Sequence, residues 1–217
     1  MIYNKQTLYK QKGIYNGDSV YNGNGVYNGE NKIKYIEILG RIYPFVKIDD
    51  LWVMCENLDY SDENLVEDYN GSVTNGLYCW NYQRNYSVYG YEGKKFGKYY
   101  LLDAILYINS LLNNGFRIFS KNDIDKILSN TTYEQNKSVE YWSNAGNNES
   151  YLNCFPTGMY KSTSKQWELF NSECILGTTT EHDYVSEYAF DLENHQQGIT
   201  WFSKDFIAVN IRVCIDE

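Results

Sequence analysis

Proline is almost missing from this chain: Pro44 and Pro156 are its only two among 217 residues. A Pro-rich linker or recognition arm is thereby excluded, and the backbone is left free for long ladders. Histidine is as scarce, with His182 and His195 alone, so a metal site built from several imidazoles is excluded. No Cys-x-x-Cys pair occurs among Cys55, Cys79, Cys154, Cys174 and Cys214. The odd count leaves at least one thiol unpaired, and free buried thiols are expected. Basic residues run short: 19 Lys and Arg stand against 28 Asp and Glu, a formal net charge of −9. With no basic stripe to meet phosphates, nucleic acid is not an expected partner. Apolar runs of membrane-spanning length are lacking too. Even residues 99–112 carry Asp103, Asn109 and Ser110, so no membrane insertion is expected. Neither a basic n-region nor an apolar h-region follows Met1, so the chain is expected to be made in a cytoplasm and to leave it without signal cleavage.

What is present starts with tyrosine, 23 of them, within a hydrophobic content of 43% and a charged content of 22%. That balance supports a packed core rather than general disorder. The N-terminal stretch GIYNGDSVYNGNGVYNGE repeats Tyr-Asn-Gly at Tyr15, Tyr21 and Tyr27, each preceded by an aliphatic residue: Ile14, Val20 and Val26. The register runs back through Leu8-Tyr9 and Ile2-Tyr3, giving five hexads. A six-residue period is wrong for a helix, and Asn-Gly favours turns with positive φ. Three structures fit: a β-solenoid layer, an intertwined β-stem of several chains, or a run of very short hairpins. Five hexads are too few to stand alone, because repeats need stacked neighbours. Ile14, Tyr15, Val20, Tyr21, Val26 and Tyr27 are therefore the expected attachment and oligomerisation residues.

After this 1–30 segment, residues 31–47 read as one or two connecting strands punctuated by Gly40 and Pro44, and residues 48–217 read as a compact domain. Leu101, Leu102, Ile105, Ile108 and Leu112 lie on one helical face, and Gly115 is a suitable stop. A second helix is expected after Ser120, with Asp123 three residues on as a capping partner and Ile124, Ile127 and Leu128 as its buried stripe. Beyond Thr132 the pattern is strand and loop, closing in IAVNIRVCI. Two helices between strands predict an α+β domain.

Several stretches, taken in order, resemble the Fibrobacter succinogenes major paralogous domain family, found in Bacteroidetes-type bacteria and their phages. They are LWVMCENLDY (51–60), GLYCW (76–80), GFRIFSKNDIDKIL (115–128), CFPTGMY (154–160) and IAVNIRVCI (207–215). The resemblance implies a C-type-lectin-like fold with two helices and a mainly antiparallel sheet. It also implies that Glu56-Asn57 is structural and bonds a buried turn. The chain departs from the family pattern at Asn113-Asn114, where Cys-Pro is usual, so Cys214 lacks its usual partner. The Glu-Pro-Asn, Gln-Pro-Asp and Trp-Asn-Asp signatures of calcium-dependent sugar binding are absent. The Tyr-Asn-Gly repeats are similar to the virion-attachment ends of fibre proteins in crAss-like phages.

Chemistry leaves few marks. No phosphate-cradling Gly-rich motif and no Gly-x-Ser-x-Gly elbow occurs. Glu181-His182-Asp183-Tyr184 lacks helical ligand spacing and is expected as a solvated loop, with no metal and no cofactor. Asp49-Asp50, Glu63, Glu67 and Asp68 read as solvated surface. Formylglycine-generating enzymes use a Cys pair on a related fold, but nothing in the spacing of Cys154 and Cys174 argues for one. Trp142, Trp167, Trp201, Tyr184 and Tyr188 are expected in the core more than on a ligand platform. The resemblance places recognition on late loops, so His182, Asp183, Tyr184, His195, Gln196 and Gln197 are the candidate binding residues. The expectation is a non-enzymatic phage fibre or adhesin subunit, on head or tail, located in the virion. It would bind other virion proteins through its repeat, form a homo-oligomer with a trimer favoured, and display a domain to a host-surface glycan or protein. The alternative is a bacterial ligand-binding or adhesion protein of the same family.

Overall fold

The computed structural model describes residues 20–21, 26–28, 31–81, 96–139 and 141–217, with side chains from residue 33 onward. Its largest sheet has seven strands in the order β1-β2-β3-β4-β5-β16-β9. These are β1 (Val20–Tyr21), β2 (Val26–Asn28), β3 (Asn31–Ile38), β4 (Arg41–Ile48), β5 (Leu51–Met54), β16 (Val213–Asp216) and β9 (Arg117–Ile118). Every neighbouring pair in it is antiparallel. The hexad residues that are described adopt the third of the expected forms, short hairpins. Val20 pairs with Tyr27 and Tyr21 with Val26, and β2 continues onto β3 through Val26↔Ile33. Ile14 and Tyr15 lie outside the described residues.

The β3–β4 hairpin turns on Leu39-Gly40, both at positive φ (49° and 81°), a geometry for which Gly is suited. Pro44 does not punctuate; it sits inside β4 opposite Tyr35. The last β4–β5 rung is Phe45↔Met54, so the donor that Pro44 lacks falls just past the ladder, while its carbonyl still accepts from Cys55 N at 2.8 Å. The boundary expected at residue 48 falls on the last residue of β4.

Alternation along β4 and β5 sends side chains to two cores. Tyr43, Phe45, Trp52 and Met54 enter one, with Ile105 and Ile108. Val46, Ile48, Leu51 and Val53 enter the other, with Ile124 and Ile127. Both faces of the sheet are thus covered, which explains the near-continuous apolar run across these strands. Helix α1 (Leu102–Leu111) buries Leu102, Ala104, Ile105 and Ile108. Helix α2 (Lys121–Asn130) begins with the expected box: Ser120 accepts from Asp123 N, and the Asp123 carboxylate accepts from Ser120 N at 2.8 Å. A further short helix, α3 (Tyr133–Asn136), follows with its own Thr132–Gln135 box. This corrects the expectation of strand and loop alone beyond Thr132.

Three smaller sheets complete the body. They are β6 (Val66–Glu67), β7 (Tyr78–Asn81) and β8 (Lys98–Tyr100); β11 (Gln166–Glu168), β10 (Met159–Lys161) and β15 (Ile207–Ala208); and β12 (Cys174–Asp183), β13 (Ser186–Leu192) and β14 (Gln197–Ser203). Among the described strand pairs, only β6 and β7 run parallel. The closing strand-like stretch IAVNIRVCI, 207–215, divides between two strands, β15 and β16, and residues 207–216 run past every sheet. β15 pairs with β10, Val209 bridges Tyr100 of β8, Asn210 bridges Leu176 of β12, and β16 joins the large sheet. One ten-residue segment thus touches all four sheets and acts as the spine of the molecule.

At its centre Arg212 is fully buried. Its Nε donates to Asn57 Oδ1 at 2.8 Å, and its other nitrogens donate to the carbonyls of Met54, Leu152 and Asn153. Asn57 in turn donates to Phe96 O at 2.9 Å. A neighbouring spine residue, Asn210, donates to Phe96 O and Lys98 O at 2.9 Å each.

Candidate functional site

The β12–β13 hairpin carries the most unusual exposed surface among the described residues. Its ladder is irregular: Gly177 pairs with Ala189, Glu181 with Glu187 and Asp183 with Ser186, with register shifts between them. His182 is therefore the extra residue of a β-bulge, a device that re-aims a side chain. The two-residue tip is Tyr184-Val185. Asp183 holds it, with Oδ1 accepting from Val185 N at 2.9 Å and from Ser186 Oγ at 2.7 Å. Those bonds, with the Ser186 hydroxyl foremost, keep the Asp183 carboxyl below its usual pKa.

His182 Nδ1 lies 3.1 Å from Asp183 Oδ2 and 3.0 Å from Ser186 Oγ. The single Ser186 hydroxyl proton goes to Asp183, so both neighbours of Nδ1 accept, and Nδ1 carries the ring proton. Nε2 has no hydrogen-bond partner among the described residues. Ser186 and Asp183 both occupy the same ring nitrogen. A nucleophile–base relay requires them on opposite nitrogens, so the trio positions the imidazole rather than activating the serine.

The imidazole meets Tyr188 edge-on at 4.9 Å and lies within 11° of the plane of Trp201, centroids 5.8 Å apart. Tyr188 and Trp201 are register partners across β13 and β14, so the three rings share one end of the sheet. Lys121 Nζ lies 5.8 Å from the Tyr188 ring. Along the rim, Lys204 sits between Glu181 (2.5 Å) and Glu187 (3.6 Å). The expectation of buried aromatics holds for Trp142, whose Nε1 donates to Cys154 O. It fails for Trp201 and Tyr184, which are 61% and 88% exposed. Trp201 and Tyr188 thus belong to the site beside His182, Asp183 and Tyr184. The strand pattern hid this, because Trp201 adjoins the buried Phe202 and alternation alone did not say which of the two faces water.

The second candidate group lies elsewhere. The β13–β14 ladder runs from Ser186↔Ser203 to Leu192↔Gln197, so His195-Gln196-Gln197 sits at the opposite end of the sheet, ~20 Å away. Gln197 is a bolt: its Nε2 donates to Thr131 O at 2.6 Å and its Oε1 accepts from Asn136 Nδ2 at 2.8 Å. Gln196 donates to Glu193 Oε1 at 2.7 Å, and His195 is exposed.

Among the described residues no group of three His, Cys, Asp or Glu is placed to hold a metal ion. All five cysteines are free and buried. Cys154 and Cys174 hydrogen-bond to each other, and burial pushes the Cys174 thiol well up. Compared with family models, curated proteins and solved structures, the chain matches none. Fold and site together define an α+β protein of mostly antiparallel strands in four sheets with few short helices.

Proposed function

We propose that this chain is a displayed binding subunit of a phage particle, a fibre or adhesin. Its hexad segment attaches it to other virion proteins and to further copies of itself, and its body adopts a C-type-lectin-like fold. The observation that carries this reading is the junction between repeat and body. Val20–Tyr21 and Val26–Asn28 extend the main sheet as short antiparallel strands, so the described residues of the repeat share a hydrogen-bonded ladder with the domain. Sheet edges of this kind are templates for pairing with another chain. At the β12–β13 tip, exposed aromatics stand on a hairpin locked by Asp183 and Ser186, the arrangement expected of a rigidly presented binding loop.

Removing residues 1–30 tests the role of the repeat. The truncated protein is expected to lose the oligomeric state of the full chain while keeping its thermal unfolding transition. Retention of the full-length oligomeric state by the truncated protein would sink the attachment role.

A further inference from the structure

The tip offers a ligand two kinds of contact. The first is aromatic. Rings in contact lie ~3.5–4 Å apart, so parallel rings with centroids 5.8 Å apart are offset sideways by roughly 4 Å, as offset-stacked pairs usually are. His182 therefore covers only part of one indole face, in keeping with the 61% exposure of Trp201. A flat apolar face is left open to solvent on a strand that cannot swing away.

The second contact is polar. An ionised carboxylate has about four acceptor positions. Asp183 Oδ1 uses two, for Val185 N and Ser186 Oγ, and Oδ2 uses one, for His182 Nδ1. Oδ2 retains one, and His182 Nε2 is without a hydrogen-bond partner among the described residues. The exposed carboxylates beside the rings are Glu181 and Asp183, with the Lys204 ammonium paired to Glu181 and the Lys121 ammonium, 5.8 Å from the Tyr188 ring, paired to Asp125. A complementary ligand has a flat apolar face, hydroxyl donors at its edge and no negative charge. A neutral hexopyranose has that combination, with axial C–H groups on its face and hydroxyls around its rim. Anionic polymers are disfavoured by the carboxylates and by the chain's net charge of −9.

We propose that the β12–β13 tip binds a neutral saccharide, one pyranose ring lying on the open indole face of Trp201, one hydroxyl donating to Asp183 Oδ2 and another hydrogen-bonding with His182 Nε2. This inference rests on the display reading above and names the class of ligand displayed to.

The test is affinity electrophoresis of the full chain through native gels containing mixed-linkage β-glucan, mannan, galactan or xylan, with anionic polygalacturonate as a fifth gel. Retardation is expected in at least one neutral gel and not in polygalacturonate. Trp201→Ala should weaken that retardation at least tenfold, and Trp201→Phe, which keeps a ring, should restore part of it. Both variants should unfold at the wild-type temperature, because the side chain is exposed. No retardation in any neutral gel, or retardation only in polygalacturonate, overturns the saccharide assignment. Retardation unchanged by Trp201→Ala overturns the shelf as its site. Retention of the oligomeric state on removing residues 1–30 speaks against the attachment role whatever the gels show, so the two readings fail separately.

Discussion

Arg212 brings a cation into the core and finds no carboxylate there; its partners are the Asn57 amide and three backbone carbonyls. Removing it leaves several buried acceptors unpaired, each worth ~1–3 kcal/mol. Arg212→Met should therefore lower stability by at least ~3 kcal/mol, read as a fall in the urea midpoint at unchanged slope. Gly158 is pinned just as tightly: its φ is +62°, and a Cβ there would sit 2.1 Å from Glu168 O. Gly158→Ala should destabilise by more than ~2 kcal/mol in the same assay, through backbone strain and the clash together. Burial of all five cysteines predicts that a thiol reagent labels none of them rapidly in the folded protein and all five after unfolding. Labelling of Cys154 or Cys174 in the folded state would contradict the closed packing around that pair.

Between elements, the clearest electrostatic tension lies on β13. Asp191, opposite Ile175 and Gly198, is pushed up to about 7 by burial and by the neighbouring Glu173 and Glu193. The folded state keeps this proton to about pH 7, whereas the unfolded chain releases it near the ordinary aspartate value of 3.8. The unfolded state thus binds fewer protons in that window, and stability falls as pH rises from ~4 to ~7. Solvent at this half-buried carboxyl reduces the full shift to an effect on the order of 2 kcal/mol. Asp191→Asn should flatten the slope and raise the melting temperature at pH 8; a steeper decline in the variant would contradict the assignment.

Elements differed in how plainly the sequence announced them. Helix α2 was legible because a capping pair and an apolar stripe agreed, and α1 because five apolar residues shared a face. Helix α3 is only four residues long, too short to show a period, although its Thr132–Gln135 box was there to be read. Pro44 looked like a break because the sequence does not reveal that its donor falls beyond the last rung. At the tip, His182, Asp183 and Tyr184 were singled out as a loop. The bulge that aims His182 and the pairing that brings Trp201 beside it depend on register across three strands, which local pattern does not carry. Gln197 looked free for binding because its partners, Thr131 and Asn136, are more than sixty residues away.

At the scale of the molecule, residues 207–216 tie four sheets together, and Val20–Tyr21 and Val26–Asn28 of the repeat lengthen the largest of them. A body locked by residues 207–216, a ladder that continues into the described repeat residues and an exposed aromatic tip are the features on which the proposed displayed subunit rests. The mass of the native full-length assembly in solution, by light scattering across a tenfold range of concentration, tests that plan most directly. The account predicts a trimer, three times the 25.5 kDa chain, that persists on dilution. A monomer at every concentration would contradict it.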